Sequence, residues 1–123
     1  MDITPLLPKG SQIIQGYGDL GFRINGERYE GSVIVLPDHT IAWPVTGFDQ
    51  VNDGTLPIDQ FAGAQILLIG CGTRGELAPP ALRREFRERG IVLEVMDTGA
   101  ACRTFNVLLV EGRPVAAALI AVP

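Results

Sequence analysis

Gly70, Gly72 and Gly75 spell G-x-G-x-x-G directly after the apolar run Gln65–Ile69, and the acids Glu94 and Asp97 follow at the distance a dinucleotide fingerprint requires. In that turn the glycines let the backbone approach a pyrophosphate, and the next helix begins at once with its N–H groups facing the phosphates. Pro79 and Pro80 oppose this reading. Proline has a fixed φ and no N–H, so the pair suits the first turn of a helix, which then starts several residues beyond Gly75. Gly75 is left in a loop, and only one β-α-β-α-β half follows where a dinucleotide site uses two. No dinucleotide or other cofactor is expected.

The end of a strand in an open α/β sheet is still a place where ligands bind. Gly70, Cys71, Gly72, Thr73 and Arg74 stand there, with Thr73 and Arg74 suited to a carboxylate or phosphate. Asp97 and Thr98 occupy the next strand-to-helix junction, and Cys102 and Asn106 follow at one-turn intervals along the helix. These nine residues form the candidate ligand-binding set. Each also has a purely architectural reading: glycines for positive φ, Arg74 paired with Glu76 or solvent, Thr98 as a cap, Cys102 as a small buried side chain, Asn106 in a satisfied hydrogen bond. Arg74 near Cys71 would favour a thiolate, but a nucleophile needs a base, and the single histidine, His39, falls in a turn. No catalytic residue is assigned, and two cysteines so far apart match no zinc or redox motif, so no metal is expected.

The elements that must hold this loop are legible in pattern. Asn25-Gly26 between Phe22–Ile24 and Glu27–Tyr29 is the signature of a two-residue hairpin. Ser32–Leu36 and Thr40–Val45 read as strands around the turn Pro37-Asp38-His39, which makes the first half antiparallel β. A Gly-, Asp- and Asn-rich stretch from Thr46 to Pro57 crosses the surface to a helical turn at Ile58–Ala62. Gln65–Ile69 and Ile91–Val95 are continuous apolar runs, as strands covered on both faces are. Between them a helix from Pro79 to about Arg89 buries Leu82 and Phe86, turns Arg83, Arg84, Arg87 and Glu88 to water, and stops at Gly90. A second helix after Asp97 and Thr98 buries Ala101, Phe105 and Leu108 or Leu109 and ends at Gly112, and Arg113–Ile120 completes the order as a strand. The segment 1–10, with Pro5 and Pro8, is expected to lie extended on the surface.

The 123 residues, 46% hydrophobic, suffice for one well-buried core and not for two, so one domain is expected over 1–123. A net charge of -4 excludes a surface built to neutralise nucleic-acid phosphates. The charge is uneven: residues 1–63 carry eight acids against three bases, and residues 64–123 six acids against seven bases, so an anion site belongs in the second half. No apolar run approaches the roughly 20 residues needed to span a bilayer, and the first ten residues show no signal-peptide pattern, which points to the cytoplasm and to reduced thiols.

The runs Leu68–Gly72, Arg89–Ile91, Glu94–Thr98, Cys102–Asn106 and Glu111–Arg113 resemble the domain-of-unknown-function family that includes the mitochondrial complex I assembly factor 3 together with bacterial and archaeal relatives. The resemblance spans about Tyr17 to Ile120, and Thr104-Phe105-Asn106 behind Asp97-Thr98 is its most specific part. It implies a three-layer α/β protein, with an antiparallel β layer on a small mixed or parallel sheet and helices from the β-α-β-α-β half. It implies no catalytic activity and no required cofactor. The function expected is therefore a non-enzymatic protein-binding or assembly-factor-like module with a protein partner, no nucleic acid, and room for peripheral association with a membrane complex. The alternative is a small-molecule or nucleotide-binding enzyme that uses the Gly70–Gly75 loop, with Arg74, Asp97 and Asn106 around the ligand.

Overall fold

The computed structural model describes residues 10–123, so the extended segment expected at 1–10 lies, except for Gly10, outside the described residues. Strands β1 (Ile14–Gly18), β2 (Gly21–Ile24) and β3 (Glu27–Glu30) form an antiparallel meander. The β2–β3 turn is the expected hairpin: Asn25 and Gly26 both have positive φ, 48° and 83°, which two-residue turns of the right twist demand. β1 carries no clean alternation in sequence and was not among the expected strands.

The next strands leave this layer. β4 (Val33–Val35) and β5 (Thr40–Ala42) join a five-stranded sheet of order β5-β4-β8-β6-β7. The reason is burial. All three β4 side chains are buried, Ile34 in the core on one face of the sheet and Val33 and Val35 in the core on the other, and β4 pairs antiparallel with β8 along one edge and β5 along the other. β5 is shorter than the expected Thr40–Val45, because at Trp43 the chain turns its indole inward, donating Nε1–H to Thr55 O at 2.7 Å.

The second half follows the expected order: β6 (Ile66–Gly70), α1 (Pro80–Glu88), β7 (Val92–Met96), α2 (Thr98–Val110) and β8 (Val115–Leu119). β6 lies between β7 and β8 and is parallel to both. Gly90, at φ 77°, ends the turn after α1. Alternate residues of the sheet serve two cores. Leu67, Ile69, Leu93, Ala116 and Ala118 pack with Leu82 and Phe86 of α1, and Phe61 meets Phe86 with ring centroids 6.1 Å apart. Leu68, Val115, Ala117 and Leu119 face Ala101, Cys102 and Phe105 of α2 together with Phe22 and Ile24 of the meander. α2 is thus the middle of a sandwich between two sheets, and β1–β3 dock on it.

Candidate functional site

β6, β7 and β8 are parallel and end together at Gly70, Met96 and Leu119. The two junctions behave differently. After β7 a single residue, Asp97, precedes α2, and its carboxylate accepts the Ala100 N–H at 2.9 Å. After β6 the chain runs nine residues before α1 opens at Pro80, with Pro79 at the N-cap. The proline pair acts as expected and keeps the start of α1 away from Gly70–Gly75; the helix end that meets this loop is that of α2, at Gly72.

The first part of that loop is closed by the protein itself. Cys71 N–H donates to Met96 O at 2.8 Å, Ile120 N–H donates to Gly70 O at 2.9 Å, and Thr98 N–H donates to Gly72 O at 2.8 Å. The fully buried Thr98 hydroxyl accepts from Gly72 N–H at 3.0 Å and donates to Ile120 O at 2.8 Å. Thr98 therefore fills the gap between β6 and β8 where a doubly wound sheet would seat a ligand. The cap expected of Asp97 and Thr98 belongs to Asp97 alone, because the Thr98 side chain turns back to the strands. Gly70 makes this possible: a Cβ there would stand 3.0 Å from Thr98 Cα and 3.0 Å from a Leu119 methyl.

Beyond Gly72, which has φ 112°, the loop opens. Thr73, Arg74 and Gly75 are exposed, and their backbone N–H groups have no partner among the described residues. Thr73 and Arg74 border an open cleft of about 300 Å³ whose other wall includes Thr46, Gly47, Val122 and Pro123. Cys71 points away from attack: it is 6% exposed and its Sγ–H donates to Arg74 O at 3.0 Å. Burial raises its pKa, the backbone N–H groups of Glu76 and Cys71 offset part of this, and the Glu76 and Asp97 carboxylates add to the rise, so the thiolate suggested by Arg74 in the sequence is not favoured.

The remaining candidates lie elsewhere. Cys102 is in the core between α2 and the meander, where burial pushes its thiol up to about 12. Asn106 embraces β1: its Oδ1 accepts from Ile14 N–H at 2.9 Å and its Nδ2 donates to Ile14 O at 2.8 Å. The structure brings together Gly70–Arg74, Asp97 and Thr98, and sets Cys102 and Asn106 to the docking of the three-stranded sheet. Tyr17 and Gly99, not singled out in sequence, belong to the same seam. Tyr17 Oη accepts from Arg103 at 3.0 Å and sits where a Gly99 Cβ would lie 2.6 Å away. Only the pairing of a glycine with an aromatic on a distant strand would have marked it. His39 is exposed and bonds its neighbour Asp38 at 2.7 Å. Among the described residues no buried side-chain N or O lacks a partner, and no cluster of three metal-ligating side chains occurs. No helix of the described residues is long and apolar enough to cross a membrane.

Arg83 also departs from expectation. It does not turn to water with Arg84 and Arg87, but is half-buried and donates to Leu93 O of β7 at 2.9 Å.

Comparison with known proteins agrees with this architecture. Residues 14–120 match the family described as Protein of unknown function (DUF498/DUF598). The chain is 37% identical to the bovine NADH dehydrogenase [ubiquinone] 1 alpha subcomplex assembly factor 3 over 89% of its own length and 61% of the bovine protein's. It therefore spans about three-fifths of the assembly factors it matches. An uncharacterised protein of Rhodobacter capsulatus is 37% identical over 93% of this chain and 88% of its own. A crystal structure from Bartonella henselae, described as an outer membrane protein, superposes with a TM-score of 0.84 at 37% identity, covering 93% of this chain and 98% of that one.

Proposed function

The chain belongs to the DUF498/DUF598 family of proteins of unknown function, and from that premise we propose that it is a non-enzymatic protein-binding module of the assembly-factor kind. The observation that carries this reading is the similarity to NADH dehydrogenase assembly factor 3 over nearly all of this chain. The site chemistry supports it. Thr98 occupies the β6–β8 gap, both thiols are buried with raised pKa values, and the histidine is tied to its neighbour in an exposed turn. A nucleophile, a base and an oxyanion site do not converge at one place among the described residues.

The partner on this reading is a subunit or fellow assembly factor of a respiratory NADH dehydrogenase, met from the cytoplasmic side. Tagged full-length chain, captured under native conditions with an untagged competitor, is expected to enrich the same protein reproducibly and to lose it on competition. Repeated capture with no competable protein refutes the proposal. Fractionation of the cell tests the location, which the description of the Bartonella relative makes worth measuring.

A second reading rests on the amides of Thr73 and Arg74, which line the open cleft and have no partner among the described residues and which suit a small carboxylate or phosphate. A thermal-shift panel of NAD(P), mononucleotides and small acids checks it. Stabilisation that disappears in Arg74→Ala supports this reading, and a flat response across the panel removes it.

A further inference from the structure

We propose that the outer edge of β7, with the cleft between it and α1, receives an extended acidic segment of a partner protein, which adds to the five-stranded sheet as a sixth strand. This rests on the protein-binding reading above and names the surface and the chemistry of the segment it takes.

β7 ends the sheet order, so one side of it has no strand neighbour. Val92 N–H donates to Gln65 O, and Met96 O accepts from Cys71 N–H, so the backbone of Val92, Glu94 and Met96 is turned toward β6. By the alternation of a strand, Leu93 and Val95 direct their N–H and C=O groups outward. A side chain holds one of these four groups: Arg83 donates to Leu93 O at 2.9 Å, in the position an added strand's N–H would take. The Leu93 N–H and both Val95 groups have no partner among the described residues.

Other edges of the molecule are blunted. β5 has three residues, with Pro37 before it and Pro44 after it, β3 is Glu-Arg-Tyr-Glu, dense in charge, and β1 has its Ile14 N–H and C=O held by Asn106 of α2. β7 has five residues, no proline and one charge, and presents Val92 at 54% exposure. It is the edge that invites pairing.

Charge selects the occupant. A cleft of about 280 Å³ runs along the start of β7, lined by Arg83, Arg87, Gly90, Ile91, Val92 and Leu93, with two bases and no acid. Among the described residues neither guanidinium is in an ion pair. Leu93 belongs to the core on the α1 side, so Val92 and Glu94 project from the opposite face of the sheet. An added strand would place carboxylates on the α1 face beside the arginines and apolar side chains beside Val92, clear of repulsion from Glu94. The pattern recognised is an alternation of acidic and apolar residues over five or six positions, about 17 Å of strand.

The test is selection of displayed random hexapeptides on the full chain. Enriched peptides made in soluble form are then titrated into isotopically labelled protein, with the amide signals of Leu93 and Val95 followed by NMR. Acid–apolar alternation, saturable shifts at both amides and a loss of affinity of about tenfold in Arg87→Glu are expected. Arg87 is exposed in the last turn of α1, where charge reversal costs about 1 kcal/mol against the helix dipole, so the same variant should melt within about 4 °C of the parent. Enrichment without acidic preference, shifts confined to other residues, indifference to Arg87→Glu, or no saturable binder would each overturn the proposal. So would shifts at Leu93 and Val95 that grow with protein concentration alone, because the occupant would then be a second copy of the chain. If the native partner is captured equally by parent and Arg87→Glu, the protein-binding reading stands and the edge site falls. If neither captures a partner, the broader reading fails first.

Discussion

Replacing the Thr98 hydroxyl by a methyl group probes the closure of the β6–β8 gap with almost no change of volume. In Thr98→Val, Ile120 O loses its donor and Gly72 N–H loses its acceptor. Ile120 is buried and Gly72 is half-buried, so water can reach the second group more readily than the first. An orphaned buried group costs about 1–3 kcal/mol, which sets the expected loss at about 2–4 kcal/mol for the pair. Thr98→Ser keeps both bonds and removes one buried methyl, a loss of about 1 kcal/mol. At this chain length 1 kcal/mol corresponds to about 4 °C in Tm. The valine variant should therefore melt about 8–16 °C below the parent and the serine variant about 4 °C below it. Urea unfolding should show lowered midpoints with unchanged slopes, since the surface exposed on unfolding is the same. A valine variant as stable as the serine variant would refute the claim that the hydroxyl, and not the packing of Thr98, ties the loop to β8.

Three further outcomes follow from the same geometry. Asn106→Leu removes both bonds to Ile14 and should cost about 1–3 kcal/mol, with hydrogen exchange at Ile14 and along β1 accelerating before that of β6; uniform acceleration would contradict a local docking role. Gly70→Ala drives a Cβ into Thr98 Cα and a Leu119 methyl, and should destabilise by about 1–3 kcal/mol in thermal unfolding, whereas Gly75→Ala meets open space and should be near neutral. Both thiols are buried, so a thiol reagent at neutral pH should label them slowly in the folded chain and fully in denaturant. The linked pH effect has a definite sign: the unfolded chain releases these protons from about pH 9 while folded Cys102 holds its own to about 12, so this contribution to stability is intact below pH 9 and is lost as pH rises toward 12. Urea midpoints measured across that range check it against Cys102→Ala, in which the slope should shrink.

Much of the fold is written in local pattern. The Asn25-Gly26 hairpin, the doubly covered run of β6, the helix opened by Pro79-Pro80 and the stop at Gly90 are each governed by neighbours in sequence, and each stands where the pattern places it, whereas β7, expected to be covered on both faces, is an edge strand with Val92 and Glu94 exposed. β1 escapes that pattern because Gly16 and Gly18 dilute its alternation, and it is held in place from outside by Asn106. The destination of β4 escapes it as well, since a buried three-residue strand states that both its faces are covered without saying by what.

The site divides in the same way. Residue types and spacing alone settle that Gly70–Gly75 is not the mouth of a phosphate-binding helix, because proline geometry acts within a few residues and needs no tertiary partner. Whether the crevice beyond it is open or filled depends on Thr98 meeting Ile120 across 22 positions, and whether Asn106 faces a ligand or a strand depends on Ile14, 92 positions away. Those hydrogen bonds exist only once the chain has folded back on itself. Short-range covalent constraints survive in any conformation, whereas the partner of a polar side chain is chosen by the packing that brings the two together.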